Sequence, residues 1–369
     1  MGFPGKFIKM NIHDIPQLRL INQQITQTKF KKPEEIVKYL GAVQSQDFSG
    51  AKWAIGLRLP NSLDKEVEKA FNEAKILRTH ALRPTWHFVA PEDLKWITTL
   101  NAPQVKRIMS YYYKKLGLIT DVIKKSNLII EKSLRGKNYL TRTEIAKVLD
   151  ENGVKASGQK LGHIVGEAEL DTIICSGPRR GKQFTYALVE EVTPKVKDIS
   201  REEALSKLAK IFFDSRGPAT IKDFSKWSGL TQADCKRGLE TVKSKFKSEI
   251  IDGKEYWFSS NSPSAISHQP LALLLPNYDE YISSYADYTV ISDPETRSNL
   301  EKIGNALFWN HMVLNGKIVG SWRRVFKPKF IEIQFAPLVS LNKEEKAAFE
   351  ESAEKFGDFF GSKVKLTDL

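Results

Sequence analysis

Gly41-Ala42-Val43-Gln44-Ser45-Gln46-Asp47-Phe48-Ser49-Gly50-Ala51-Lys52-Trp53-Ala54-Ile55-Gly56-Leu57-Arg58 runs from the end of one apolar helix into the start of another. The first helix opens at Pro33, with Glu34 and Glu35 against the positive end of its dipole. Ile36, Val37, Leu40 and Val43 give it an apolar face. Asp47 and Ser49 are residue types that cap helices, whereas glutamine is not. Gln44 and Gln46 are thus left without a local structural task. On a helix they would not share a face; in an extended turn they would. On residue types alone, the plain reading is two surface amides beside a helix end.

Working outward, Ile15 to Gln27 shows helical spacing before this stretch, and Leu63–Ala74 shows it after. The segment from Ile76 to Val89 reads as two strands about a turn near Arg83-Pro84. Helices followed by a hairpin suggest a winged helix. Pro91 starts further helices to Tyr113, and the pattern then recurs. Thr141-Arg142-Thr143-Glu144 is a capping box, and Ser157 can cap the next helix. Strands Thr172–Cys175 and Gln183–Val189 follow, joined by a basic tip from Ser176 to Lys182. After a linker near Thr193-Pro194, Arg201–Phe213 is helical, Thr220 and Thr231 cap short helices, and Gly229 ends the first of these. Phe246–Ile251 and Glu255–Phe258 flank Asp252-Gly253, a tight-hairpin signal. The predicted fold class is therefore α+β, with three tandem winged-helix units over 11–110, 111–195 and 196–262.

Residues 263–369 read differently, as a C-terminal β-rich mixed domain. Leu271–Leu275 is a buried strand, followed by Pro276-Asn277-Tyr278-Asp279-Glu280-Tyr281. Met312–Leu314 and Lys317–Trp322 form a hairpin about Asn315-Gly316, Phe330–Phe335 alternates as a strand, and Lys343 to Phe360 is a closing helix.

The chain of 369 residues is globular in composition, 41% hydrophobic and 27% charged, which suits several domains. Its net charge of +13 favours a polyanion, most often nucleic acid. Two cysteines, Cys175 and Cys235, offer no disulfide framework and fit a reducing cytoplasm. No apolar run approaches the roughly 20 residues a membrane helix needs. The N-terminus lacks a signal core, and Met10 is an alternative start to Met1. The histidines His13, His80, His87, His163, His268 and His311 have no metal-motif spacing, so no metal is expected. No phosphate-binding loop, dinucleotide fingerprint or serine elbow occurs, and no cofactor is expected.

Candidate DNA contacts are Arg78, Arg83, Trp86 and His87 in the first hairpin, with Trp86 also a core candidate. Arg179, Arg180 and Lys182 form the basic tip of the second. Arg323 and Arg324 either contact phosphate or bridge to Asp279 or Glu280.

Gln44-Ser45-Gln46-Asp47-Phe48, Lys52–Arg58, Leu77–His80, Arg83–Val89, Leu275–Tyr281 and Gly316–Trp322 occur in one order. Together they resemble the bacterial winged-helix DNA glycosylases typified by AlkZ and YcaQ. The resemblance implies three winged helices in a concave arrangement with a C-terminal β-rich domain, working as a monomer. It implies monofunctional hydrolysis of N7- or N3-alkylated purine nucleosides in duplex DNA, bulky and crosslinked lesions included, without lyase chemistry. Gln44 and Gln46 match the Gln-x-Gln signature of the AlkZ branch. Ser45 departs from its usual apolar middle residue, and Asp47 stands one residue too late for the Gln-x-Asp carboxylate of YcaQ. The resemblance places the enzyme in the cytoplasm, on the nucleoid. A non-catalytic winged-helix transcription regulator is the alternative reading.

Overall fold

The computed structural model describes residues 10–259, 271–303 and 309–367. The proposed boundary at 262/263, His268 and the Met1 start lie outside them. Helix Pro33–Leu40 begins with proline at its first turn, and the Glu35 carboxylate accepts from the backbone N–H groups of Lys31 (2.9 Å) and Lys32 (3.0 Å). It ends at Gly41, whose φ of 75° is left-handed; a Cβ there would stand 2.7 Å from Ile211 Cγ2. Strand Val43–Gln44 follows, and Asp47 then caps helix Phe48–Gly56, its Oδ1 accepting from Gly50 N at 3.0 Å.

Strand Val43–Gln44 lies on the edge of a three-stranded antiparallel sheet, beside Trp86–Val89 and then Leu77–His80. Val43 faces Phe88 and Gln44 faces His87 in register, and Thr79 faces His87 from the other side. Side chains alternate across a strand. Gln44, His87, Thr79, Leu77 and Val89 therefore share one face, and Val43, Phe88, Trp86, Arg78 and His80 the other.

Each face packs against a different part of the chain. On one side, Phe88 joins Ile36, Leu40, Trp53 and Phe71 in a core completed by Met312, Trp322, Phe349 and Phe356 of the C-terminal region. On the other, Leu77 and Val89 join Phe212, Phe213, Phe224 and Trp227 of the third helical segment, which begins with helices Arg201–Arg216 and Ile221–Ser228. Burying side chains of this size stabilises by about 1.5–3 kcal/mol each. The Trp53 indole donates to the Leu274 carbonyl at 2.7 Å, tying the first unit to the C-terminal sheet, within which Trp322 donates to the Leu275 carbonyl at 2.9 Å.

The other elements follow the same helix–helix–hairpin order. Helices Arg142–Glu151 and Gly158–Leu170 precede strands Ile174–Arg180 and Gln183–Leu188. Helices Ile221–Ser228 and Gln232–Val242 precede strands Phe246–Ile251 and Lys254–Ser259. Thr141, Thr220 and Thr231 all cap as expected, but Ser157 occupies its cap position without making the bond. Asp252 and Gly253 have positive φ, as a tight hairpin requires.

Several expectations need correcting. The first helix covers only Asp14–Asn22, because Gln24 turns left-handed at φ 62°. Residues 176–180 are paired strand rather than loop; an irregular register between Gly177 and Arg180 carries the hairpin to a two-residue turn. Helix Pro294–Ile303 and strand Val364–Thr367 add to the elements expected of this region. The latter pairs in parallel with Ile331–Pro337 across helix Lys343–Phe359, at the edge of a five-stranded sheet. No described helix is long and apolar enough to cross a membrane.

Candidate active site

The glutamine-bearing strand is held at consecutive peptide groups. The N–H of Gln44 donates to Glu280 Oε1 at 3.0 Å, and the N–H of Ser45 to the Trp86 carbonyl at 2.8 Å. The Ser45 carbonyl accepts from Arg78 Nε (3.2 Å) and Nη2 (3.1 Å). Just upstream, Arg216 donates to the carbonyls of Leu40 (2.8 Å) and Ala42 (3.1 Å). A backbone gripped this way has little freedom to move when a ligand arrives.

Glu280 is the centre of that support. Its carboxylate also accepts from Arg216 Nη2 (2.7 Å), Trp227 Nε1 (2.9 Å) and Ser284 Oγ (2.9 Å). Burial alone would raise its pKa, but the charge and hydrogen bond of Arg216, together with the Gln44 N–H, hold it down at about 2. The group is therefore a buried anion. Its neighbour Asp279 forms a two-point pair with Arg58, at 2.9 and 3.0 Å. These two pairings replace the anticipated bridges to Arg323 and Arg324.

The two glutamines differ sharply. Gln44 is 7% exposed, and its Oε1 accepts from Arg83 Nη2 at 3.0 Å. Gln46 is exposed, and its amide has no protein partner among the described residues. Arg83 also reaches the Lys226 carbonyl at 3.4 Å. The Lys226 ammonium bonds the Tyr285 carbonyl and, at 3.2 Å, the Tyr288 hydroxyl. Burial, with Arg83 close by, lowers its pKa to about 8. Sequence reasoning did not single out Arg216 or Lys226; neither lies in a recognisable motif.

Arg78 is buried, its guanidinium stacked on Trp86 (4.4 Å) and Phe184 (4.7 Å). It holds Ser45 and is not placed to reach a phosphate. His87 is wholly buried, with Nδ1 bonded to the Thr85 carbonyl at 2.9 Å. Burial, followed by the charge of Arg83, lowers its pKa to about 3, so it is a neutral ring beneath the strand rather than a DNA contact. Trp86 is half-buried against His80, ring centroids 4.7 Å apart. With His80, Tyr113, His163 and Tyr186 it lines a cavity of about 240 Å³. Trp86 and His80 belong to the sheet face opposite Gln44.

The basic tip is less basic than its sequence. Arg179 pairs with Glu68 at 3.1 Å and Arg180 with Glu144 at 2.7 Å, whereas Lys182 is exposed and has no protein partner among the described residues. Arg324 pairs with Asp47 and with Asn310 Oδ1 (2.8 Å), which brings the C-terminal sheet beside the glutamines. Arg323 is exposed, 6.0 Å from the Trp309 ring. Among the described residues no cluster of His, Cys, Asp and Glu is arranged to hold a metal ion.

Comparison with known proteins adds to this geometry. The family model described as DNA glycosylase AlkZ-like matches residues 37–359. A relative from Streptomyces sahachiroi, an interstrand DNA cross-link repair glycosylase, is 22% identical over 308 residues, covering 79% of this chain and 82% of that protein. The solved structure of Streptomyces sahachiroi DNA glycosylase AlkZ superposes with a TM-score of 0.79 at 20% identity, covering 98% of this chain and 100% of that one. At that identity the superposition speaks for the fold.

Proposed function

The chain belongs to the AlkZ-like DNA glycosylase family, and on that premise we propose that it hydrolyses the N-glycosidic bond of N7- or N3-alkylated purines in duplex DNA. We read residues 11–110, 111–195 and 196–262 as three winged-helix units that grip the duplex, in a monomer working on the nucleoid. The reading rests on one observation: a rigidly held strand end carries a fixed amide at Gln44 and, two residues on, an exposed amide at Gln46.

Alkylation at N7 or N3 leaves the base cationic. As the C1′–N bond breaks, its electron pair neutralises the base, which departs without an acid to protonate it. The sugar becomes an oxocarbenium, a water oxygen adds at C1′, and the water's proton passes to solvent. An amide is a poor base, but its carbonyl can orient that water and set a negative dipole beside the developing charge. No amine nucleophile is needed, so no strand cleavage follows base release.

Crosslinked lesions come within the proposal because the Streptomyces relative is named for interstrand crosslink repair. The test is release of N7-methylguanine from a methylated duplex and unhooking of a crosslinked one, with Gln46→Ala as control. Release by the wild type that is lost in Gln46→Ala supports the function; no release from any alkylated duplex refutes it.

A further inference from the structure

We infer that Arg83 is a positioning residue that divides the work of the glutamine pair: Gln44 presents its amide N–H donors to the alkylated nucleotide, and Gln46 alone offers a carbonyl to the attacking water. The inference rests on the glycosylase reading above and refines it.

The argument begins with a chemical asymmetry. An amide's oxygen and nitrogen are hard to tell apart by shape, and their assignment normally follows from hydrogen-bond partners. Here the partner leaves no choice, because a guanidinium has five donors and no acceptor. The Gln44 atom 3.0 Å from Arg83 Nη2 must therefore be the carbonyl oxygen. That oxygen lies against the guanidinium, so the end of the side chain turned away from Arg83 is its NH2 group, a donor only.

The arrangement is rigid on both sides. The Gln44 peptide N–H is held by Glu280, and Arg83 is anchored by its second nitrogen at the Lys226 carbonyl, 3.4 Å away. Turning the Gln44 amide over would place its NH2 against a guanidinium, donor against donor. Among the described residues Gln46 meets no such constraint: it is exposed, and its amide is free to turn its oxygen toward water.

A donor at Gln44 matches what a nucleotide offers. Phosphate oxygens and unalkylated base ring nitrogens are acceptors, and a donor fixed before the substrate arrives costs no reorganisation during reaction. The identical shape of the two side chains thus hides opposite polarities, and substitutions that keep shape while changing polarity should separate them.

The experiment measures single-turnover base release from N7-methylguanine duplex at saturating enzyme, together with DNA affinity, for the wild type, Gln44→Glu, Gln46→Glu, Arg83→Met and Arg83→Lys. Glutamate keeps the acceptor oxygens and removes the donors; at position 44 it also pairs with Arg83, which favours folding. The expected result is a Gln44→Glu rate about 100-fold below wild type, the usual loss for one preorganised donor, and at least about ten-fold below Gln46→Glu. Arg83→Met should lower the rate constant, with part of it restored in Arg83→Lys. Equal rates for Gln44→Glu and Gln46→Glu would overturn the division of roles, as would an Arg83→Met enzyme that loses only affinity. A wild type that releases no base removes the glycosylase reading itself, and this inference with it, which is a different outcome from equal glutamate variants.

Discussion

The Glu280 carboxylate accepts the backbone N–H of Gln44 at 3.0 Å, although 236 residues separate them in the chain. The same carboxylate binds Arg216, which reaches past it to the carbonyls of Leu40 and Ala42. One buried ion pair thus fastens the glutamine strand to both the third helical segment and the C-terminal region.

Removing the charge of Glu280 should cost more than a hydrogen bond. In Glu280→Gln the Arg216 guanidinium stays buried without its counter-ion, a change that typically costs about 3–5 kcal/mol. The expected outcome is a large drop in the urea midpoint together with loss of base release. An unchanged midpoint would show that the pair does not hold the strand.

Buried histidines set the acid limb of stability. His87 and His311 have their pKa values lowered by burial from the usual 6.5 to about 3 and about 4. Below pH 6.5 the unfolded chain takes up protons that the folded chain refuses, so stability falls as pH drops toward those values. Glu280, lowered from 4.5 to about 2, adds a further loss as pH falls below 4.5. Neither ring nitrogen of His311 has a partner among the described residues. His311→Leu should therefore show a shallower fall in urea midpoint between pH 6.5 and 4 than the wild type. Parallel curves would rule this origin out.

Salt dependence should separate arginines that look alike in sequence. Lys182 is exposed and has no charge partner among the described residues, so Lys182→Ala should lower DNA affinity and reduce the slope of log K against log salt by about 1. Arg78 binds the Ser45 carbonyl between two aromatic rings. Arg78→Met should leave that slope unchanged and slow base release by about 10-fold or more through a loosened strand. A reduced slope for Arg78→Met would return it to the phosphate contacts.

What the sequence disclosed was short-range. Caps at Asp47, Thr141, Thr220 and Thr231 and the turns at Asp252-Gly253 and Asn315-Gly316 depend on neighbours within a few residues, and they form as expected. The motif Gln44-Ser45-Gln46 was visible, but the opposed environments of its amides were not. They depend on Arg83, 39 residues away, and on Glu280. Arg78 and His87 read as surface cations beside a turn, and only the packing of Phe184 and the third helical segment over the sheet puts them inside. Arg216 gave no signal, since it ends an ordinary amphipathic helix and its partner Glu280 lies 64 residues on.

Asp47 is the carboxylate closest in sequence to the glutamines, and its geometry gives it a structural task. One oxygen caps helix Phe48–Gly56 through Gly50 N at 3.0 Å, and the other pairs with Arg324. Both oxygens thus accept from donors on the protein, one holding the helix and the other the C-terminal sheet. Asn caps helices about as well as Asp, so Asp47→Asn keeps the cap but turns an NH2 group toward Arg324 in place of the paired oxygen, and losing a partly exposed pair costs about 1 kcal/mol. Base release should stay within the same order of magnitude as wild type, with a pH profile that shows no lost ionisation. A general base replaced by its amide would instead cost about 100-fold or more. A collapse of that size in Asp47→Asn, with the fold intact, would move the catalytic assignment from Gln46 to Asp47.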